Sequence, residues 1–318
     1  MSTTPELITL PPNHERYKFL DVLGEGGQGI VFKGYDIQLQ RFVAIKSLAR
    51  GKQEKHETVR KEALTLANLR HPNIVSVYDV VTHDGSLMLV MELIEGEDLA
   101  SWLEGEALSL DDFQQFGVQT LEALLAAHEA KILHRDLKPD NIRVSRLPGG
   151  RLMTKVMDFG LARESLNARR QTETLDGGIR GTVRYMSPEQ LERMPMDPRA
   201  DLYSLACVFY TVLCGRNPYG GDTIPEIITA HLEHRVKPLA ERNASLPEDL
   251  CTWVMWTMNR RPEDRPQSTR EALDAFNGVF ENIKAGLHIH RAIEIGLVQG
   301  TDTQTTFVQP HRTETGIV

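Results

Sequence analysis

The stretch HRDLKPDNIRV, residues 134–144, brings Asp136, Lys138 and Asn141 together between two short apolar segments, AKIL before and IRV after, which places them on a loop. A second acid, Asp158, heads DFG directly after the strand-like LMTKVM. Two aspartates and an asparagine on loop tips offer hard oxygen donors of the kind Mg²⁺ takes together with phosphate oxygens and water. Taken singly, each is better explained as part of an Asp-rich turn held by N-caps.

Upstream, GEGGQGIV arranges Gly24, Gly26 and Gly29 as G-x-G-x-x-G, a pattern that lets backbone N–H groups approach phosphates but is weak evidence alone. A dinucleotide-binding turn needs a helix after the last glycine, and IVFKGYDI continues as a strand instead. Lys46 closes the alternating VAIK, so it shares a face with Ala44 while Val43 and Ile45 share the other. A lysine on a strand is ordinarily just solvated. Glu62, however, lies on the apolar stripe of the next helical pattern, and a carboxylate there needs a cationic partner, for which Lys46 is the one to expect.

These groups require a β-rich scaffold followed by a helical one. YKFLDVLG, GIVFKGYDI and RFVAIKSL read as strands of a small antiparallel sheet. Residues 53–69 carry Val59, Ala63 and Leu66 at helical spacing and stop before His71 and Pro72. From about residue 98 helical patterns dominate, at 111–130, 200–214, 224–233, 247–258 and 268–285, and IEGEDL joins the two regions. No internal repeat is evident, and the final thirty or so residues are Thr-rich without periodicity.

Composition limits the setting. The 318 residues are 41% apolar and 25% charged, which suits a globular chain. A formal charge of -8 disfavours a dedicated nucleic-acid binder, whose phosphate contacts need clustered cations. Cys207, Cys214 and Cys251 show no CxxC spacing and read as reduced thiols. LYSLACVFYTVLC, residues 202–214, is too short to span a bilayer and is apolar all round, as a buried helix would be. The opening MSTTPELITLPPNHERY has neither a basic region nor a long apolar run, so no secretory leader is expected there.

In order along the chain, Gly24-x-Gly26-x-x-Gly29-x-Val31, VAIK, Glu62, HRDLKPDN, DFG and SPE resemble the protein kinase family, over roughly residues 17–285. The resemblance implies an α+β, bilobal fold, with a small antiparallel β-rich lobe holding one major helix and a larger, mainly helical lobe. It divides the chain into an extension at 1–14, a kinase domain at 15–285 with lobes of about 15–93 and 97–285, and a flexible tail at 286–318. By that likeness Lys46 clamps ATP phosphates and pairs with Glu62, Asn141 and Asp158 bind Mg²⁺ or Mn²⁺, Asp136 accepts the substrate hydroxyl proton, and Lys138 neutralises the transferred phosphate. Leu23, Val31, Ala44 and the gatekeeper Met91 would line the adenine site, the backbones of Glu92 and Ile94 would face the base, and Asp98 the ribose. Asp201 would anchor the loop around Asp136, and Arg265 would pair with Glu189.

Lys138, and GTVRYMSPE at the end of the long segment after Asp158, resemble Ser/Thr protein kinases, and the rest of the chain is most similar to their bacterial, eukaryotic-like (Hanks-type) members. Thr172 and Thr174 are the expected activating phosphosites, and Thr182 the docking-strip threonine. The likeness further implies protein substrates. Tail threonines, if phosphorylated, would suit a phosphothreonine-reading (FHA-type) partner and a cognate phosphatase, the alternative being a merely disordered end. The acidic charge, the short apolar runs and the reduced cysteines lead to the expectation of no nucleic-acid partner, no membrane segment in this chain and a cytoplasmic setting. Arg143 departs from the pattern, standing where the family places an apolar residue beneath adenine. The rival reading is a pseudokinase or scaffold that binds nucleotide without transfer.

Overall fold

The computed structural model describes residues 10–26, 29–47, 60, 63–83, 85–105, 108–159 and 178–286. Strands β1 (Tyr17–Gly26), β2 (Gly29–Asp36) and β3 (Arg41–Ser47) form an antiparallel meander, and a hairpin of β4 (Val77–His83) and β5 (Ser86–Glu92) completes a sheet ordered β1-β2-β3-β5-β4. Alternation gives the sheet two different faces. Phe19, Phe32, Val43, Ile45, Met88 and Val90 close a small core on one side. Ala44, Leu89 and Met91 belong to the large core on the other. The face assignment expected for β3 is therefore observed. The described part of the first helix, α1 (63–68), packs Ala63 and Leu66 into the large core.

The linker 93–96 leads into β6 (Glu97–Asp98) and α2 (Leu99–Gly105), whose first turn is capped where Ser101 N–H donates to Asp98 Oδ1 at 2.8 Å. Long α3 (Leu110–Glu129), capped by Ser109, is followed by β7 (Ile142–Arg146) and β8 (Leu152–Val156). The last two join β6 in a three-stranded antiparallel sheet inside the otherwise helical lobe; β8 is the strand-like LMTKVM of the sequence, and β6 and β7 add to it. Both sheets position the site: β3 carries Lys46, the β1–β2 turn carries the glycines, and β7 and β8 bracket the loops that hold Asp136 and Asp158.

Helix α4 (Pro198–Cys214) is the centre of the lobe: every residue from 200 to 210 is buried, as its all-round apolar sequence predicts. Around it pack α3, α5 (Ile224–Leu232), α6 (Glu248–Thr257) and α7 (Thr269–Lys284), within one or two residues of the expected spans. Phe113, Phe116, Phe209, Trp253 and Phe276 interlock between α3, α4, α6 and α7. Cys207, Cys214 and Cys251 are free thiols. Among the described residues no helix is long and apolar enough to cross a membrane.

Candidate active site

The loop after α3 is held from below by a buried carboxylate. Asp201, on α4, accepts from the backbone N–H of His134 and of Arg135, both at 2.8 Å, and lies 2.8 Å from His128 Nε2. Burial alone would raise this carboxyl, but the bond from His128 and the neighbouring donors leave it below its ordinary value. His128 is itself fixed by Thr269 Oγ1 at 2.6 Å. These bonds over-determine the backbone at Arg135, whose φ of 67° is unfavourable for a side chain of that size. Its carbonyl in turn accepts from Gln190 Nε2 at 2.7 Å.

His134 is fully buried, and burial lowers its pKa, so the ring is neutral. Asp136 N–H donates to its Nδ1 at 3.3 Å, which leaves Nε2–H to donate to the Met157 carbonyl at 2.8 Å. The ring also packs 4.6 Å from Phe159. One neutral histidine thus ties the loop of Asp136 to the strand end that carries Asp158.

The reactive groups converge above this base. Asn141 Nδ2 donates to the Asp136 carbonyl at 2.7 Å and to Asp136 Oδ2 at 3.1 Å. Lys138 Nζ stands 3.4 Å from Asp136 Oδ2 and donates to Thr182 Oγ1 at 2.7 Å. Lys46, buried on β3, makes a 2.9 Å ion pair with Asp158 Oδ2. Asp158 has φ 60°, a second strained position at the same site. The arrangement offers a carboxylate beside an ammonium, a buried cation, and oxygen donors from Asn141 and Asp158.

The glycine pattern closes the β1–β2 hairpin, Gly26 pairing with Gly29, while a Cβ at Gly24 would meet nothing within 4 Å among the described residues. Leu23 is exposed at the lip. Val31 pairs with Lys46, and Ala44 with Met91, forming the wall beneath the hairpin. Glu92 N–H donates to the Ser76 carbonyl at 2.9 Å, and Ile94 packs against the large core. Asp98 sits at the cleft edge with one carboxylate oxygen used as the α2 cap. The Arg143 guanidinium turns outward and donates to the Gly96 carbonyl at 2.9 Å. Glu62, Thr172 and Thr174 lie outside the described residues.

Arg265 is buried and forks onto Glu189 at 2.7 and 3.0 Å, fixing the segment after Thr182 to the body of the lobe. Gln190, His128, Ser76 and Lys155 join the site beyond the residues expected from the sequence. Lys155 had a legible signal, a cation within the strand-like LMTKVM; the others become visible only through long-range contacts.

A family model described as "Protein kinase domain" matches residues 17–276. A probable serine/threonine-protein kinase of Clostridium perfringens is 36% identical over 273 residues, covering 85% of this chain and 38% of its own. Serine/threonine-protein kinase PknB of Mycobacterium leprae is 35% identical over 274 residues, covering 83% of this chain and 43% of its own. The chain thus spans about two fifths of the length of these curated relatives. Among solved structures, Rad53 1-466 in complex with AMP-PNP aligns with a TM-score of 0.69 at 25% identity, covering 82% of this chain and 65% of that one. The PknI kinase domain of Mycobacterium tuberculosis aligns with a TM-score of 0.66 at 23% identity, covering 86% of this chain and all of that one, a likeness of fold.

Proposed function

The chain belongs to the protein kinase family, and on that premise we propose that it transfers the γ-phosphate of ATP to serine and threonine hydroxyls of proteins. The family uses ATP, a divalent metal and protein substrates in general. The observation that carries the reading is that the Asp136–Lys138–Thr182 cluster and the Lys46–Asp158 pair are joined through His134, which bonds Asp136 N–H and the Met157 carbonyl next to Asp158.

Asp136 accepts the proton of the substrate hydroxyl as its oxygen bonds to the γ-phosphorus and the bond to the β-bridging oxygen breaks, releasing ADP. Lys138 neutralises charge that develops on the transferred group. Its bond to Thr182 links it to the strip that would dock peptide, and the combination supports Ser/Thr specificity. Asn141 and Asp158 would be the oxygen donors for Mg²⁺ or Mn²⁺, which would polarise the phosphates. The buried Lys46 fits a phosphate, and the open ground at Gly24 fits close backbone approach. Leu23, Val31, Ala44, Met91 and the backbones of Glu92 and Ile94 would hold adenine, with Asp98 near the ribose.

The same reading assigns the kinase domain to 15–285, with Thr172 and Thr174 as sites of activating autophosphorylation. An FHA-type phosphothreonine reader and a phosphatase would be its partners, in the cytoplasm. The test is incubation of the purified chain with labelled ATP and Mg²⁺ or Mn²⁺, followed by phosphosite mapping. Transfer to a generic protein substrate and phosphate on Thr172 or Thr174 are expected. Lys46→Met and Asp158→Asn should each lower transfer by about two orders of magnitude or more with the circular dichroism unchanged. Near-native activity in either variant would defeat the site assignment, and a wild-type chain that transfers nothing would defeat the reading.

A further inference from the structure

Two cations stand directly opposite each other in the small sheet. In the β7–β8 register Arg143 pairs with Lys155, so their side chains share one face. Like charges so placed repel unless each finds its own acceptor. Both acceptors lie at the linker 93–96, which connects the five-stranded sheet to the three-stranded one. Lys155 Nζ is 2.9 Å from Glu92 Oε2, the last residue of β5 before the linker. That oxygen also accepts from Ser76 N–H at 3.3 Å, which joins β5, β8 and the segment before β4 at one point. At the other end Arg143 donates to the Gly96 carbonyl. Gly96 has φ 109°, and a Cβ there would run into the Val144 carbonyl, so the linker backbone rests directly on β7 with no room for a side chain.

Resting on the kinase reading above, we propose that Arg143 and Lys155 are positioning residues that clamp the linker at both ends and so set the height of the nucleotide pocket. The wall above the pocket, Ala44 and Met91, and the strand below it, β7, belong to different sheets. Their separation depends on how the linker sits on β7. A cation at each end, carried on adjacent strands of one rigid sheet, holds that separation before nucleotide arrives, and pre-organisation of this kind lowers the cost of binding. Arg143 therefore acts on adenine through the linker, with its guanidinium directed away from the base.

The test joins amide hydrogen exchange of the linker in the nucleotide-free chain to steady-state kinetics against ATP. Arg143→Leu and Lys155→Met should each speed exchange at 93–97 by about three- to tenfold, the size of one part-exposed charge-assisted bond. Each should raise KM for ATP by a similar factor with kcat within about twofold. Arg143→Lys, which keeps a donor cation, should restore most of the loss. Glu92→Gln should reproduce Lys155→Met, and combining the two should add little further. Unchanged linker exchange in the Arg143→Leu, Lys155→Met double variant, or a fall in kcat at constant KM, overturns the clamp. If the wild-type chain transfers no phosphate, the kinase reading fails, and the exchange measurement alone still decides the clamp. Should the double variant not fold, exchange in Arg143→Leu compared with Arg143→Lys decides it.

Discussion

Thr182 reaches the proposed base, Asp136, through Lys138. Its hydroxyl accepts from Lys138 Nζ at 2.7 Å while that ammonium stands 3.4 Å from Asp136 Oδ2, so the segment after Asp158 fixes where the cation sits. Removing the hydroxyl releases the lysine from the docking strip, so on the kinase reading the cation that neutralises the transferred phosphate loses its anchor. Thr182→Ala should therefore lower kcat by about ten- to hundredfold with nucleotide affinity little changed, whereas Thr182→Ser should keep most of the activity. Peptide-transfer kinetics beside a nucleotide titration separates the two effects. Equal kcat in Thr182→Ala and wild type would remove the link between Thr182 and the base.

Between elements, α3 and α7 approach closely in the helical lobe. Gly117 on α3 lies against the Phe276 ring, and a Cβ at that position would overlap the ring. The glycine is there for the contact, since it carries an intrinsic penalty of roughly 1 kcal/mol in a helix relative to alanine. Gly117→Val should cost about 1–3 kcal/mol by overpacking and lower the thermal midpoint. Gly278 on α7 makes a matched control, because a Cβ there meets nothing within 4 Å. Gly278→Ala should be neutral or slightly stabilising, by up to about 1 kcal/mol. Equal midpoints for both variants would show that the crossing is looser than the geometry indicates.

Across the whole molecule, acid stability depends on histidines that the fold keeps neutral. Burial pulls His231 on α5 down to about 3 and His234, just beyond that helix, down to about 4. The rings lie 2.8 Å from Tyr203 OH and 3.0 Å from Tyr219 OH respectively, against Nδ1 in each case. In the unfolded chain both would titrate near 6.5, so between about pH 6.5 and pH 4 the unfolded state binds more protons than the folded one. Stability should fall as the pH drops through that window and be restored above it. Thermal midpoints from pH 7.5 to 5 should decline more steeply for wild type than for the His231→Asn, His234→Asn variant. Parallel slopes would show that other groups govern the acid limb.

The order of motifs along the chain and the local periods were legible in the sequence because each is set by neighbours. A pleat of period two fixed which side of β3 Lys46 takes, and an all-round apolar run marked α4 as buried. Asp201, Glu189 and Arg265 were legible through the family likeness, and their bonds stand as expected. Strand β6 is two residues long and exists only because β7, far along the chain, supplies its hydrogen-bond partners. The same holds for Gln190 reaching the Arg135 carbonyl and for His128 joining Asp201 to Thr269. Arg143 shows the division most clearly. Its identity announced a departure beneath adenine, but the direction of its guanidinium was decided by the carbonyl of Gly96 and by a like charge on the next strand. Charges choose partners in three dimensions, and the pattern of side chains along one strand does not contain that choice.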